Sequence, residues 1–189
     1  HSRAPARAQR QGAVGVQVGT GFALSAESGL TDDIRKNLLD DLNRRRLEVV
    51  TDALASPTQF PFKVATMPGT LSEKSVYGSR ERICDLGYLR VPYEQAAGIV
   101  GYRCPSEPVA DYVRKGGALE QTEGRKCLCN GLVSAIGLGQ IRAGVVEPTL
   151  VTLGSDLTGA EQLLQRHPNG WTAAQVVEHL LDSTMTACS

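Results

Sequence analysis

The chain carries no excess of charge of either sign: 20 Lys and Arg stand against 20 Asp and Glu over 189 residues. That balance excludes a broad basic footprint for nucleic acid, and it excludes an acidic tail. Long apolar runs are missing as well; none approaches the roughly 18 residues that a membrane-spanning helix needs. Five cysteines make no dense disulfide framework, so a reducing, cytoplasmic compartment is the default. Internal repeats and low-complexity tracts are absent. The first residues, His1-Ser2-Arg3, include neither a Met nor an apolar h-region nor a cleavage signature. They read as a cut inside a longer chain and not as a secretory signal. What is present is a hydrophobic share of 41%, enough for a packed core and too much for a disordered chain. The length suits one domain, or one domain with a smaller appendage.

Local patterns give a coarse secondary structure. Residues 4–11 are helix formers with Pro5 in the first turn, and Gly12 stands where a glycine just past a helix end would stand. Val14, Val16 and Val18 then alternate, which predicts a short strand stopping at Gly19-Thr20-Gly21. Next comes a helix over about 32–45. Thr31 is its N-cap, Asp32 and Asp33 suit the positive end of its dipole, Arg44 to Arg46 suit the far end, and Ile34, Leu38, Leu39 and Leu42 recur at helical spacing. Leu47 to Thr51 follow as a short strand or extended edge. From Ser56 to about residue 150, prolines and glycines break every run, as in a loop-rich layer wrapped round another body. Two helices close the chain, one over about 156–166 and one opening at Thr172. A strand between helices is the repeating unit of an α/β protein with parallel strands.

Gly19-Thr20-Gly21, at the C-terminal end of the expected strand, carries the first chemical signal. Small residues there let backbone amides point into open space and form an anion cradle suited to a phosphate. Taken alone, the glycine pair equally permits a tight turn with no ligand. The wider string is more specific. Gly12-Ala13-Val14-Gly15-Val16-Gln17-Val18-Gly19-Thr20-Gly21-Phe22, followed by Glu27-Ser28-Gly29, resembles the eighth strand of the nitronate monooxygenase family, flavin-dependent TIM-barrel enzymes once called 2-nitropropane dioxygenases. The family pattern Gln-x-Gly-Thr-x-Phe is matched at every fixed position by Gln17, Gly19, Thr20 and Phe22. The strings Gly87 to Arg90, Gly101 to Pro105 and Gly124 to Leu132 resemble the long C-terminal portion of actinobacterial-type members, so the likeness touches most of the chain.

The resemblance implies an α/β fold: the last strand and helix of a (β/α)₈ barrel over residues 1–55, and a loop-rich, partly helical extension over 56–189. It implies that Gln17, Val18, Gly19 and Thr20 hold the phosphate of FMN. It further implies a monooxygenase reaction in which an anionic nitronate gives up an electron to the flavin and O₂ completes the oxidation. A whole barrel needs about 250 residues. The earlier strands, the second phosphate-binding glycine loop and the catalytic His of the family have no counterpart here. His1 lies at the start of the chain, and His167 and His179 lie in the C-terminal helical region. No catalytic residue is therefore assigned. The chain is expected to be the C-terminal part of a larger flavoenzyme, needing the remaining barrel or a partner chain. Two alternatives stand beside this reading: a flavin-dependent enoyl reductase of polyketide or fatty-acid assembly, which shares the barrel and a similar motif, and a non-catalytic fragment or interaction module.

Other residues carry weaker signals. Cys84, Cys104, Cys127 and Cys129 are four thiols able in principle to bind zinc tetrahedrally, but the usual pair of C-x-x-C knuckles is absent, and ordinary buried thiols are the plainer expectation. Cys188 is expected to be free. Arg125-Lys126 beside Asn130-Gly131 is either an anion contact or, more simply, a solvated turn with two cations. Tyr88, Tyr93, Tyr102 and Tyr112 either line a small-molecule pocket or anchor long loops on a core. His179, among Val176, Val177 and Leu180, is expected to pack and not to act as a base.

Overall fold

The computed structural model describes residue 8, residues 10–96 and residues 98–185. The chain divides into two compact units, one made of residues 1–47 with 153–189 and the other of residues 48–152. This grouping returns the last helices to the N-terminal residues and differs from the single boundary at residue 55 expected above. Its cause lies in α2 (Asp32–Asn43), whose apolar stripe of Ile34, Leu38 and Leu42 must be covered to be stable. The cover comes from α6 (Thr158–Arg166), which contributes Ala160, Leu163 and Leu164.

In this helical unit the expected helix over 4–11 is described only at Ala8 and Arg10, both helical. Its end matches the expectation for Gly12: φ is +91°, and the amides of Gln11 and Ala13 both bond the Ala8 carbonyl at 3.0 Å. Residues 14–18 depart from expectation. They form no strand, and Val14 and Val16 are exposed. A strand exists only through ladder bonds to a neighbour, and no neighbouring strand flanks these residues among those described. A four-residue helix, α1 (Thr20–Ala23), follows at once and packs against α6 and α7 (Ala173–Met185). Thr31 occupies the N-cap position of α2 as expected, although its side chain makes no capping bond. Ion pairs Arg35–Asp32 and Arg44–Asp40, both at 2.9 Å, decorate the outer face of α2. Trp171, Leu24, Leu38, Leu163 and Val176 are among the most deeply buried side chains of this unit.

The unit of residues 48–152 is built from antiparallel pairs. Strand β1 (Val49–Asp52) pairs with β2 (Phe62–Ala65) in the register Val49↔Ala65 to Asp52↔Phe62. After α3 (Lys74–Ser79), β3 (Val91–Ala96) and β4 (Ile99–Arg103) form a hairpin with a register shift between Glu94 and Ala96. Helices α4 (Val109–Arg114) and α5 (Leu128–Ala135) precede the shortest pair, β5 (Ile141–Arg142) with β6 (Val145–Val146). Ala55, Val64, Leu71, Leu128 and Leu150 make the core, with Phe62, Val76, Leu89 and Leu132 against it. All strand pairings among the described residues are antiparallel. Among those residues no helix is long and apolar enough to cross a membrane.

Candidate functional site

The segment expected to hold a phosphate lies where the N-terminal stretch enters α1. Gly19 is the residue before the helix, with φ −109° and ψ −58°, and a Cβ placed on it would meet nothing within 4 Å. Its flank is open space. Gly21, two residues on, faces the opposite situation: a Cβ there would lie 3.1 Å from Val176 Cγ1 and 3.5 Å from Leu163 Cδ1. The Trp171 indole N–H donates to the Gly21 carbonyl at 2.7 Å, and the Ala26 amide bonds back to the Trp171 carbonyl at 2.8 Å. Thr20 Oγ1 accepts the Gly154 amide at 2.9 Å, which holds the hydroxyl while leaving its own proton to donate. Along the chain, Gln17 is exposed and Val18 half-buried. One side of the segment is thus clamped by packing and the other is open. The amides of a first helical turn have no acceptor within the helix. An open glycine, a held hydroxyl and such amides fit a phosphate group.

The cation pair of the sequence reading has another employment. Arg125 is buried: Nη1 donates to the carbonyls of Leu54 at 2.9 Å and Ser56 at 2.7 Å, while Nε donates to that of Gln121 at 3.0 Å. Lys126 pairs with Asp52 at 2.8 Å and lies 5.0 Å from the centroid of the Tyr77 ring. Burial by itself would raise the Asp52 carboxyl, but hydrogen bonds from Lys126, Leu54 and Ala55 hold it below the usual range. Arg125 and Lys126 are therefore neither an anion site nor a solvated turn. They tie the 52–56 loop to the start of α5, a use that residue type and spacing gave no means of seeing.

The tyrosines divide by role. Tyr93 and Tyr112 sandwich the Arg103 guanidinium, with centroids at 5.0 and 5.5 Å, and Tyr112 donates to Gln121 Oε1 at 2.8 Å, so these two anchor loops. Tyr102 is exposed on the β3–β4 hairpin. Tyr88 lines an open apolar cleft of about 460 Å³ with Phe60, Phe62, Leu89, Leu128 and Leu132. His179 is buried against its unit, and burial, with Arg166 and His167 adding positive charge, pushes its imidazole down from the usual range.

Residues that the sequence did not single out form a polar centre beneath the cleft. Glu147, almost fully buried, is paired with Arg80 Nε at 2.5 Å and with Arg142 Nη1 at 2.7 Å. Arg142 also pairs with Asp85. Buried Asn130 donates to Asp85 Oδ1 at 2.8 Å. The carboxyl of Asp85 is raised by burial but held below its ordinary value by the bonds from Arg142 and Asn130. Around this centre lie the cysteines, all four free. Cys84 and Cys104 hydrogen-bond each other through their side chains. Burial pushes the Cys127 thiol up to about 11. Among the described residues no group of three or more His, Cys, Asp or Glu side chains is placed to hold a metal ion, so the four sulfurs make no zinc ligand set. Cys188 lies outside the described residues.

Comparisons with protein-family models, curated proteins and solved structures find no match to the chain.

Proposed function

We propose that the chain is part of an FMN-dependent oxidoreductase of the nitronate monooxygenase type, in which residues 14–20 serve as the last strand and phosphate loop of a (β/α)₈ barrel. The observation that carries the reading is the agreement of Gln17, Gly19, Thr20 and Phe22 with the family pattern at each fixed position. Two features support it. The open flank of Gly19 and the held Thr20 hydroxyl suit a phosphate. The exposed, alternating Val14 and Val16 suit a strand whose ladder partners come from further barrel strands, supplied by additional sequence or by a partner chain.

In this reading Gln17, Val18, Gly19 and Thr20 bind the phosphate and so orient the cofactor. FMN supplies the electron transfer when it is bound. The packed Gly21–Trp171 contact fixes the loop, and residues 56–189 cover the barrel end. The base and the substrate-side residues belong to the remaining strands. The substrate is a nitronate or a related small anion.

The test is retention of flavin. The chain is purified with FMN, alone and extended by its upstream coding sequence, and the yellow absorbance of bound flavin is measured. Flavin retained by the extended chain, and lost in Thr20→Val together with Gly19→Glu, is the expected result. Turnover of a nitronate with O₂ separates this activity from NAD(P)H-driven reduction of an enoyl thioester. An extended chain without flavin overturns the proposal and leaves the non-catalytic reading.

A further inference from the structure

Two thiols far apart in sequence meet in the unit of residues 48–152, and the surrounding chain is arranged to keep them together. Cys104 follows directly on β4, and Cys84 lies upstream of β3, so the pair spans the foot of the β3–β4 hairpin. Arg82 bridges the two strands of chain: Nη1 donates to the Pro105 carbonyl at 3.2 Å, and Nη2 to the Thr122 carbonyl at 2.8 Å. The segment after Cys104 is pinned in turn by Ser106 Oγ donating to the Lys126 carbonyl at 2.8 Å and by the Glu107 amide bonding the Cys104 carbonyl at 2.9 Å. Arg90 Nη2 donates to the Cys84 carbonyl at 2.5 Å, which sets its guanidinium beside the Cys84 thiol. Cys84 is half-buried, whereas Cys104 is buried.

We infer that Cys84 and Cys104 are a peroxide-reactive dithiol in which Cys84 attacks hydrogen peroxide and Cys104 resolves the product to an intramolecular disulfide. Exposure assigns the roles, since the attacking sulfur must be reached from solvent and the resolving one need only be reached by its partner. Electrostatics agrees. The hydrogen bond from Cys104 and the adjacent Arg90 hold the Cys84 thiol down at about 6, against burial and the opposing charge of Glu107. The bond to Cys84 and burial push the Cys104 thiol well up, so it keeps its proton and donates it.

The step balances as follows. The Cys84 thiolate forms an S–O bond to one peroxide oxygen, the O–O bond breaks, and the departing hydroxide takes a proton to become water. The Cys104 sulfur then bonds to the Cys84 sulfur, the S–O bond breaks, and water leaves with the Cys104 proton. Two thiols and one peroxide give one disulfide and two waters. The disulfide closes a loop around the whole β3–β4 hairpin and is reopened by an external thiol.

The test is a peptide map of the full chain after brief exposure to hydrogen peroxide at pH 7. Trypsin places Cys84 on peptide 83–90, Cys104 on peptide 104–114, and Cys127 with Cys129 on peptide 127–142. The expected species joins the first two peptides, lacks two hydrogen atoms and disappears on reduction. Cys104→Ser should leave Cys84 as a sulfenic acid trapped by dimedone, and Cys84→Ser should leave Cys104 unmodified. Alkylation of Cys84 should be half-maximal near pH 6, and that midpoint should rise in Arg90→Gln. The far-ultraviolet spectrum shows whether each variant is folded, and the wild-type map stands independently of the variants. A dominant link through Cys127 or Cys129, or a Cys84 no faster to react than Cys129, overturns the inference.

Discussion

The indole N–H of Trp171 bonds the carbonyl of Gly21 at 2.7 Å across 150 residues of sequence. Both groups are buried, so this one bond fastens the proposed phosphate loop to the C-terminal helices of its unit. Trp171→Phe keeps much of the apolar volume but leaves a buried carbonyl without its donor, a loss of about 1–3 kcal/mol. Gly21→Ala forces a methyl group against Val176 and should cost a similar amount, about 1–3 kcal/mol, by overpacking. Urea unfolding followed by circular dichroism measures both.

Gly19 should behave in the opposite way. Its backbone is not left-handed and its flank is open, so Gly19→Ala should change stability by no more than about 0.5 kcal/mol. Gly19→Glu should also fold, yet its carboxylate would repel a phosphate and weaken FMN binding at least tenfold. Fluorescence titration of FMN against the flavin-binding form separates the two variants. Equal affinity in both would place the phosphate elsewhere.

Glu147 receives two guanidinium groups in a setting where its own side chain is 2% exposed. Removing one partner from a buried pair leaves an uncompensated charge. Glu147→Gln should therefore destabilise residues 48–152 by about 3–5 kcal/mol, far more than the loss of an exposed pair such as Arg114–Asp111, worth about 0–1 kcal/mol. Denaturant midpoints of E147Q and D111N give the comparison.

The pH response of the helical unit should carry the mark of His179. Burial lowers its imidazole from the ordinary 6.5, so the unfolded chain takes up a proton more readily than the folded one. Stability should be full above pH 6.5 and should decline as pH falls below it. The positive Arg166 and His167 reinforce this, and Asp182 opposes it. Thermal unfolding at pH 7.5 and 5.5 should show a smaller acid loss in His179→Gln than in the wild type. An unchanged loss would assign the acid sensitivity to other groups.

Local pattern made much of the helical unit legible. Ile34, Leu38 and Leu42 were marked by spacing and are buried, Gly12 has the left-handed conformation its position suggested, and α6 and α7 begin within two residues of their expected starts. What depends on distant partners was hidden. Val14, Val16 and Val18 have strand propensity, but a ladder needs a neighbour, which propensity does not encode. Arg125 looks like any surface cation until three carbonyls close round it. The meeting of Cys84 with Cys104 is likewise set by the hairpin between them, not by either residue's neighbours in sequence.

Arg125 bears on how this chain tolerates change. A guanidinium is a flat fork whose nitrogens reach acceptors in several fixed directions, and here Nη1 and Nε reach Leu54, Ser56 and Gln121. A lysine in its place would keep the charge and lose that geometry, stranding peptide oxygens that no water can reach. At the adjacent position the single ammonium of Lys126 meets one carboxylate, a task an arginine can take over. Two neighbouring cations of equal charge thus differ sharply in replaceability, and drift among homologous chains should be free at one and barred at the other.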